Sequence, residues 1–136
     1  MLPVQKLSEK AIIPTRGSEF AAGYDLYAIE SQIIYNNSQA IIKIGIATAI
    51  PVGYYGRIAP RSSMALKNIF VNGGVIDSDY RGEIKVILFN FGIDYEINAG
   101  DRVAQLIIEK IITPEIKIRE LTDTPRGDGG FGSTGN

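Results

Sequence analysis

Glu83-Ile84-Lys85-Val86-Ile87-Leu88-Phe89-Asn90-Phe91 is a short, strongly apolar run rich in β-branched and aromatic side chains, and its reading decides the fold class. A run of this kind fits a strand buried in a sheet. Two other stretches share its character. In Ile42-Lys43-Ile44-Gly45-Ile46-Ala47-Thr48-Ala49-Ile50, isoleucine falls on nearly every second position until Pro51-Val52-Gly53 turns the chain. Arg102-Val103-Ala104-Gln105-Leu106-Ile107-Ile108-Glu109 is opened by the turn signal Ala99-Gly100-Asp101. Asn36-Asn37, Gly73-Gly74 and Arg81-Gly82 punctuate the intervals. Helical spacing is scarce: Ser62-Ser63-Met64-Ala65-Leu66-Lys67-Asn68, after Pro60, predicts one short helix with a serine as its cap. Many short strands with turns between them predict an all-β sandwich, jelly roll or barrel.

At 136 residues the chain is expected to form one domain, and its 45% hydrophobic and 21% charged residues are ordinary for a globular protein. A net charge of -1 argues against a general nucleic-acid binder, which needs a basic surface. A small phosphorylated ligand needs only a few well-placed cations. The chain has no cysteine and no histidine. That removes thiol catalysis, the usual zinc sites and any Ser-His-Asp triad. Acid–base work falls to Asp, Glu, Lys or Tyr, and any divalent metal would be a hard cation on oxygen. No apolar run has the length of a signal peptide or membrane span, so an intracellular location, cytoplasmic or nuclear, is expected.

Five polar clusters stand out. Ala22-Gly23-Tyr24-Asp25-Leu26-Tyr27-Ala28 carries one acid in an apolar stretch; Asp25 is either satisfied by backbone or placed for function. Ala59-Pro60-Arg61-Ser62-Ser63 leads into the short helix, and serves as a helix start or an anion contact. Asn72-Gly73-Gly74-Val75-Ile76-Asp77-Ser78-Asp79-Tyr80-Arg81-Gly82 reads as a hairpin exposing Asp77 and Tyr80; a carboxylate there can activate water. In Gly100-Asp101-Arg102-Val103-Ala104-Gln105-Leu106 the amide of Gln105 either ties strands together or meets a ligand. The end, Arg126-Gly127-Asp128-Gly129-Gly130-Phe131-Gly132-Ser133-Thr134-Gly135-Asn136, places glycine at five of nine positions from Gly127 to Gly135. Such a tail is expected to be mobile, with a guanidinium, hydroxyls and an aromatic face suited to a ligand bearing phosphates and a flat ring.

These five clusters, in this order, resemble the five motifs of the trimeric all-β dUTP diphosphatases (dUTPases), and the likeness runs over essentially the whole chain. Leu7-Ser8-Glu9-Lys10-Ala11 and Pro14-Thr15-Arg16-Gly17-Ser18 are similar to the eukaryotic and viral branch. The resemblance implies a jelly-roll-like β-barrel over residues 1–124 with a glycine-rich substrate-closing arm over 125–136. It implies hydrolysis of dUTP to dUMP and pyrophosphate, which keeps uracil out of DNA and supplies dUMP for dTMP synthesis. Carried over residue by residue, Asp77 would activate the water that attacks the α-phosphorus, and Tyr80 would pack on the deoxyribose. The backbone of Gly73, Gly74, Val75 and Ile76 would read the uracil edge. Ser62 would contact the phosphates, with Ser63 counted beside it and Arg61 and Gln105 in support. Asp25 would hold water on a Mg²⁺ bound mainly by the triphosphate. In the tail, Phe131 would stack on uracil, while Arg126, Gly132, Ser133 and Thr134 complete the substrate contacts. The family likeness also implies a homotrimer whose active sites are shared between subunits, with no nucleic-acid or membrane partner.

The match departs from the family where Ser63-Met64 replaces Gly-Leu, where Asn72-Gly73-Gly74 replaces Gly-Ala-Gly, and at Asp128, where serine is frequent. The nearest alternative is a dCTP deaminase of related architecture, distinguished by ammonia release from dCTP. A non-catalytic nucleotide-binding module would lack the base or the tail, and a capsid-like jelly roll would need no Asp77/Tyr80 hairpin.

Overall fold

The structure is a computed structural model, and it describes residues 1–132. Among these, the chain forms β1 (Val4–Lys6), β2 (Gly23–Tyr27), β3 (Gln32–Ile34), β4 (Ser38–Lys43), β5 (Ile46–Thr48) and β6 (Tyr54–Ala59). There follow α1 (Ser62–Ala65), β7 (Ile69–Asn72), β8 (Val75–Ile76), β9 (Lys85–Asn90), β10 (Tyr95–Ile97) and β11 (Arg102–Lys110). Every strand pair is antiparallel, in the sheets β2-β11-β6-β8, β4-β9-β7, β1-β5 and β10-β3. This is the expected all-β, jelly-roll-like architecture with one short helix.

The apolar run from Glu83 becomes β9, the centre of its sheet, where Val86, Leu88 and Asn90 point inward and are buried. Asn90 is the polar exception. Its Nδ2 donates to Ile34 O at 2.8 Å and Ile93 O at 2.7 Å, and its Oδ1 accepts from Gly92 N at 2.8 Å. A fully buried amide is thus satisfied on both ends and ties the end of β3 and the loop after β9 to the core.

Two local expectations are corrected. The alternating run 42–50 is not one strand. Gly45, at φ 73°, breaks it, so that β4 pairs with β9 while β5 pairs with β1. Both ends of Gly45 are held: its N–H donates to Glu83 Oε2 and its carbonyl accepts Leu7 N–H. The predicted helix exists, but no serine caps it. The cap position is Arg61, extended at φ -84° and ψ 143°, with no side-chain hydrogen bond to the helix start. Ser62 is already the first helical residue, so its hydroxyl lies inside the turn rather than ahead of it. The helix ends at Ala65, and Asn68, at φ 60°, closes the turn that follows it.

The core is aliphatic: Leu26, Ile42, Ile44, Ile46, Ile84, Leu88, Val103 and Leu106 are essentially inaccessible. Gly56 permits the central strand β6 to sit close to it. A Cβ there would lie 2.8 Å from Ile50 Cδ1 and 2.9 Å from Leu106 Cδ1. Strand pairing ends with β11 at Lys110, and residues 111–124 run outside the sheets. Ile112, Ile116, Ile118 and Leu121 on that segment are exposed.

On the outer face of β6 and β11, Tyr55 Oη donates to Glu109 Oε2 at 2.5 Å, and Arg57 Nε meets Glu109 Oε1 at 2.8 Å. These two donors, Tyr55 first and Arg57 second, hold the Glu109 carboxyl below its ordinary range. The carboxylate in turn holds Tyr55 and Arg57 above theirs. A carboxylate with a lowered folded pKa stabilises above its unfolded value, and that contribution is lost as pH falls through the folded one. Glu109→Gln is therefore expected to melt below the wild type at neutral pH. The gap should close on acidification below about pH 4. Thermal melts of both proteins across pH check this, and a gap independent of pH contradicts it.

Candidate active site

Strand register assembles the first group. Gln105 on β11 lies opposite Asp25 on β2 and Ala59 on β6, so the three form a row across the sheet and share a face. Gln105 Nε2 donates to Pro60 O at 3.1 Å, which fixes the chain just ahead of Arg61. The mostly buried carboxylate of Asp25 faces two guanidinia: Arg61 Nε at 3.5 Å and Arg102 Nη1 at 3.9 Å. Arg61 Nη1 also donates to Arg102 O at 3.2 Å. Asp25 and Asp101 stand against Arg61 and Arg102, so charge at this end of the sheet is balanced, and what it offers an anion is guanidinium N–H donors. Beside it a hollow of about 350 Å³ is lined by Arg61, Ser63, Met64, Tyr95, Gly100 and Arg102, among others. Ser62 and Ser63 are exposed at the start of α1.

The second group belongs to the hairpin after β7. Gly73 and Gly74 adopt φ 62° and 91°, conformations that side chains resist. Gly74 O accepts Ile58 N–H at 2.7 Å, and a Cβ on Gly74 would stand 2.8 Å from Ile58 O. Glycine there lets the hairpin lie flat on β6. Val75, Ile76, Asp77 and Tyr80 then line a hollow of about 230 Å³ together with Ile41 and Ile87 of the adjoining sheet. Asp77 is exposed, and its carbonyl accepts Tyr80 N–H at 3.1 Å.

The two hollows share no lining residue. Register explains why. Ile76 pairs with Gly56, so Asp77 emerges beside Tyr55, whereas the Asp25–Gln105 row meets β6 at Ala59. From Tyr55 to Ala59 is about 13 Å at a strand's rise of roughly 3.3 Å per residue, and Arg61 lies further on. The chain brings Asp25, Arg61, Ser63 and Gln105 together, and separately Val75, Ile76, Asp77 and Tyr80. It does not bring the groups to each other. In the tail, Arg126 Nε donates to Gly129 O at 2.7 Å, and Phe131 is exposed at φ 51° with Gly132 beside it. Ser133 and Thr134 lie outside the described residues.

A family model described as dUTPase matches residues 9–135. The chain belongs to the dUTPase family. A deoxyuridine 5'-triphosphate nucleotidohydrolase of Arabidopsis thaliana is 55% identical over 135 residues, spanning 97% of this chain and 81% of that relative. The dUTPase of Staphylococcus bacteriophage 80alpha, solved with dUPNHPP, is 32% identical at a TM-score of 0.89, covering 100% of this chain and 99% of that one. A mutant dUTPase from phage phi11 of S. aureus is described with a structural Mg(II) ion. It is 32% identical at a TM-score of 0.84, with 89% of this chain and 97% of that one covered.

For a dUTPase the question of metal follows at once. Among the described residues, no three His, Cys, Asp or Glu side chains gather as a cage. Asp25 is already shared by two guanidinia, and Asp101 in the same hollow accepts Asn98 N–H at 2.8 Å. This oxygen-only, ligand-poor set fits a Mg²⁺ carried by phosphates and met by Asp25 through water.

Sequence reading passed over two contributors. Arg102 was legible as the basic residue of Gly100-Asp101-Arg102, but only register shows that it shares Asp25 with Arg61. Gly23 carries no chemistry at all; its contribution is space. A Cβ on Gly23 would lie 2.3 Å from Gln105 Oε1 and 2.8 Å from Gln105 Cβ. The second contact cannot be relieved by a rotamer change, because it is to the base of the side chain. Gly23→Ala is expected to cost about 1–3 kcal/mol of stability through overpacking. Denaturant unfolding checks it, and an unshifted midpoint would mean that β2 and β11 separate freely.

Proposed function

We propose that this chain is a dUTP diphosphatase that hydrolyses dUTP to dUMP and pyrophosphate, working as a homotrimer with shared active sites. The observation that carries the reading is the division of labour between the two hollows. One offers a base-sized apolar slot with a carboxylate at its mouth. The other offers guanidinia, which the mostly buried Asp25 adjoins, and exposed hydroxyls. A nucleoside triphosphate has these two ends, and one chain alone holds the matching groups too far apart.

In this reading the backbone of Gly73, Gly74, Val75 and Ile76 takes the uracil edge and Tyr80 packs on the deoxyribose. Backbone hydrogen bonds reject a base with the wrong donor pattern by roughly 10⁴–10⁵, because buried polar groups are then left unpaired. Arg61, Ser62, Ser63 and Gln105 of a neighbouring subunit hold the phosphates. Asp77 makes no ion pair among the described residues and stands exposed, open to a water. That water's oxygen bonds to the α-phosphorus while its proton passes to the Asp77 carboxylate. The bond to the bridging oxygen breaks, and its electron pair leaves with pyrophosphate. Asp25 would hold, through water, a Mg²⁺ brought by the triphosphate, which would supply neutralisation of phosphate charge. Chain groups otherwise act by position and electrostatics. The arm with Arg126, Phe131, Gly132, Ser133 and Thr134 closes over the bound nucleotide, and base stacking on Phe131 offsets ordering of the glycines by about 1–3 kcal/mol.

The exposed apolar residues of 111–124 also favour assembly, since a lone chain gains nothing by presenting Ile112, Ile116, Ile118 and Leu121 to water.

Asp77→Asn is expected to lower kcat for dUTP by roughly 10²–10⁴ while still binding a nonhydrolysable dUTP analogue. Pyrophosphate release and calorimetry measure the two separately; near-normal turnover would remove Asp77 from its role. Sharing has its own test. Arg61→Ala and Asp77→Asn chains, each inactive alone, should recover about one quarter of wild-type activity when unfolded and refolded together in equal amounts, because sites then form from one intact half of each. No recovery would place both halves of the site within a single chain.

A further inference from the structure

The turn 77–82 is braced from within. Tyr80 N–H donates to Asp77 O at 3.1 Å, Arg81 Nη1 donates to Ser78 O at 2.6 Å and to Tyr80 O at 3.2 Å, and Tyr80 Oη donates to Glu83 O at 2.9 Å. The last bond carries the tyrosine across the turn and over Gly82. Gly82 is not among the residues with positive φ, so the backbone there makes no demand for glycine. The demand comes from the ring. A Cβ on Gly82 would lie 2.5 Å from Tyr80 Oη, 2.7 Å from Cζ and 3.0 Å from Cε1. These are atoms at the far end of a side chain that is itself partly exposed. An added methyl would therefore be accommodated by the ring swinging off its seat, with little cost to the strands on either side.

The seat has a functional address, because Tyr80 forms one wall of the hollow that holds Val75, Ile76 and Asp77. If the ring moves, the wall opens on the side where a sugar would lie. We propose that Gly82 is a positioning residue for specificity: its missing side chain seats Tyr80 against the sugar and so sets the preference for a 2′-deoxyribose over a ribose. The proposal rests on reading this hollow as the deoxyuridine pocket. Gly82 touches no substrate and acts only through the tyrosine. The chemistry at Asp77 is left in place, so the effect falls on discrimination between sugars and less on kcat.

The test compares kcat and KM for dUTP and UTP in wild type, Gly82→Ala, Tyr80→Ala and the double variant. Wild-type turnover of dUTP is the control, and its absence would sink the dUTP reading and this proposal with it. Gly82→Ala is expected to raise the UTP to dUTP ratio of kcat/KM by about tenfold, mainly through KM, with a melting temperature close to wild type. In the Tyr80→Ala background the Gly82→Ala change should do nothing further, because the ring it displaces is gone. An active Gly82→Ala enzyme with unchanged discrimination would overturn the proposal while leaving dUTP hydrolysis standing. So would an equal further shift in the Tyr80→Ala background. A Gly82→Ala chain that fails to fold while the double variant folds would overturn the claim that the ring gives way at small cost.

Discussion

The positions of the two groups of site residues in the sheets follow from the pairing of β6, which lies between β11 and β8 and sets the register of both neighbours. Gly56 sets how closely that strand approaches the core, since any side chain there would strike Ile50 and Leu106. Once β6 is seated, Gln105 must face Ala59 and Asp25 must face Gln105. Ile76 must face Gly56, so the Asp77 turn leaves the sheet at the opposite end. An antiparallel ladder cannot bring those ends together, because its side-chain rows keep a fixed spacing along the strand.

That constraint gives the glycines their meaning. Gly23 makes room for Gln105 to reach Pro60, Gly74 lets the hairpin lie against Ile58 O, and Gly82 makes room for the Tyr80 ring. None of them carries a functional group. Each replaces a side chain that would push a functional one out of place, so packing and chemistry are specified by the same positions. The ion pairs work in the same direction: Asp25 draws Arg61 and Arg102 to one place, so both guanidinia border the same hollow.

Much of this was legible in the residues. The apolar run at β9, the run at β11 and the turns at Asn37 and Gly73-Gly74 follow from period, β-branching and turn chemistry. Over 42–50 the alternation continues through Gly45 and so predicts one strand, because period alone does not register a positive φ. Nor did composition distinguish a serine cap from a serine in the first turn, which depends on where Arg61 leaves the extended region. Asp25, Arg61 and Gln105 stood out as polar residues in apolar or turn settings, but their mutual contact is a product of pairing between strands far apart in sequence. The Asn90 network was invisible for the same reason: its partners are Ile34 O, Gly92 N and Ile93 O, and one of them is remote in the chain.

A site divided between chains ties activity to assembly. On the proposed reading, a dissociated chain keeps its fold, with Leu26, Ile44, Leu88 and Leu106 buried within one subunit. It nevertheless loses the approach of Asp77 to the phosphate-holding guanidinia. Nucleotide would then bind the assembled form more tightly than the separate chain, and by mass action it would stabilise the assembly that binds it. The glycine-rich end extends this coupling. Arg126 already closes a small turn on Gly129 O, while Phe131 is exposed. Ordering such a segment costs conformational entropy, which on the proposed reading a base stacked on Phe131 offsets. On the same proposed reading, closure of the arm over an empty site is disfavoured, and substrate supplies the contact that completes it.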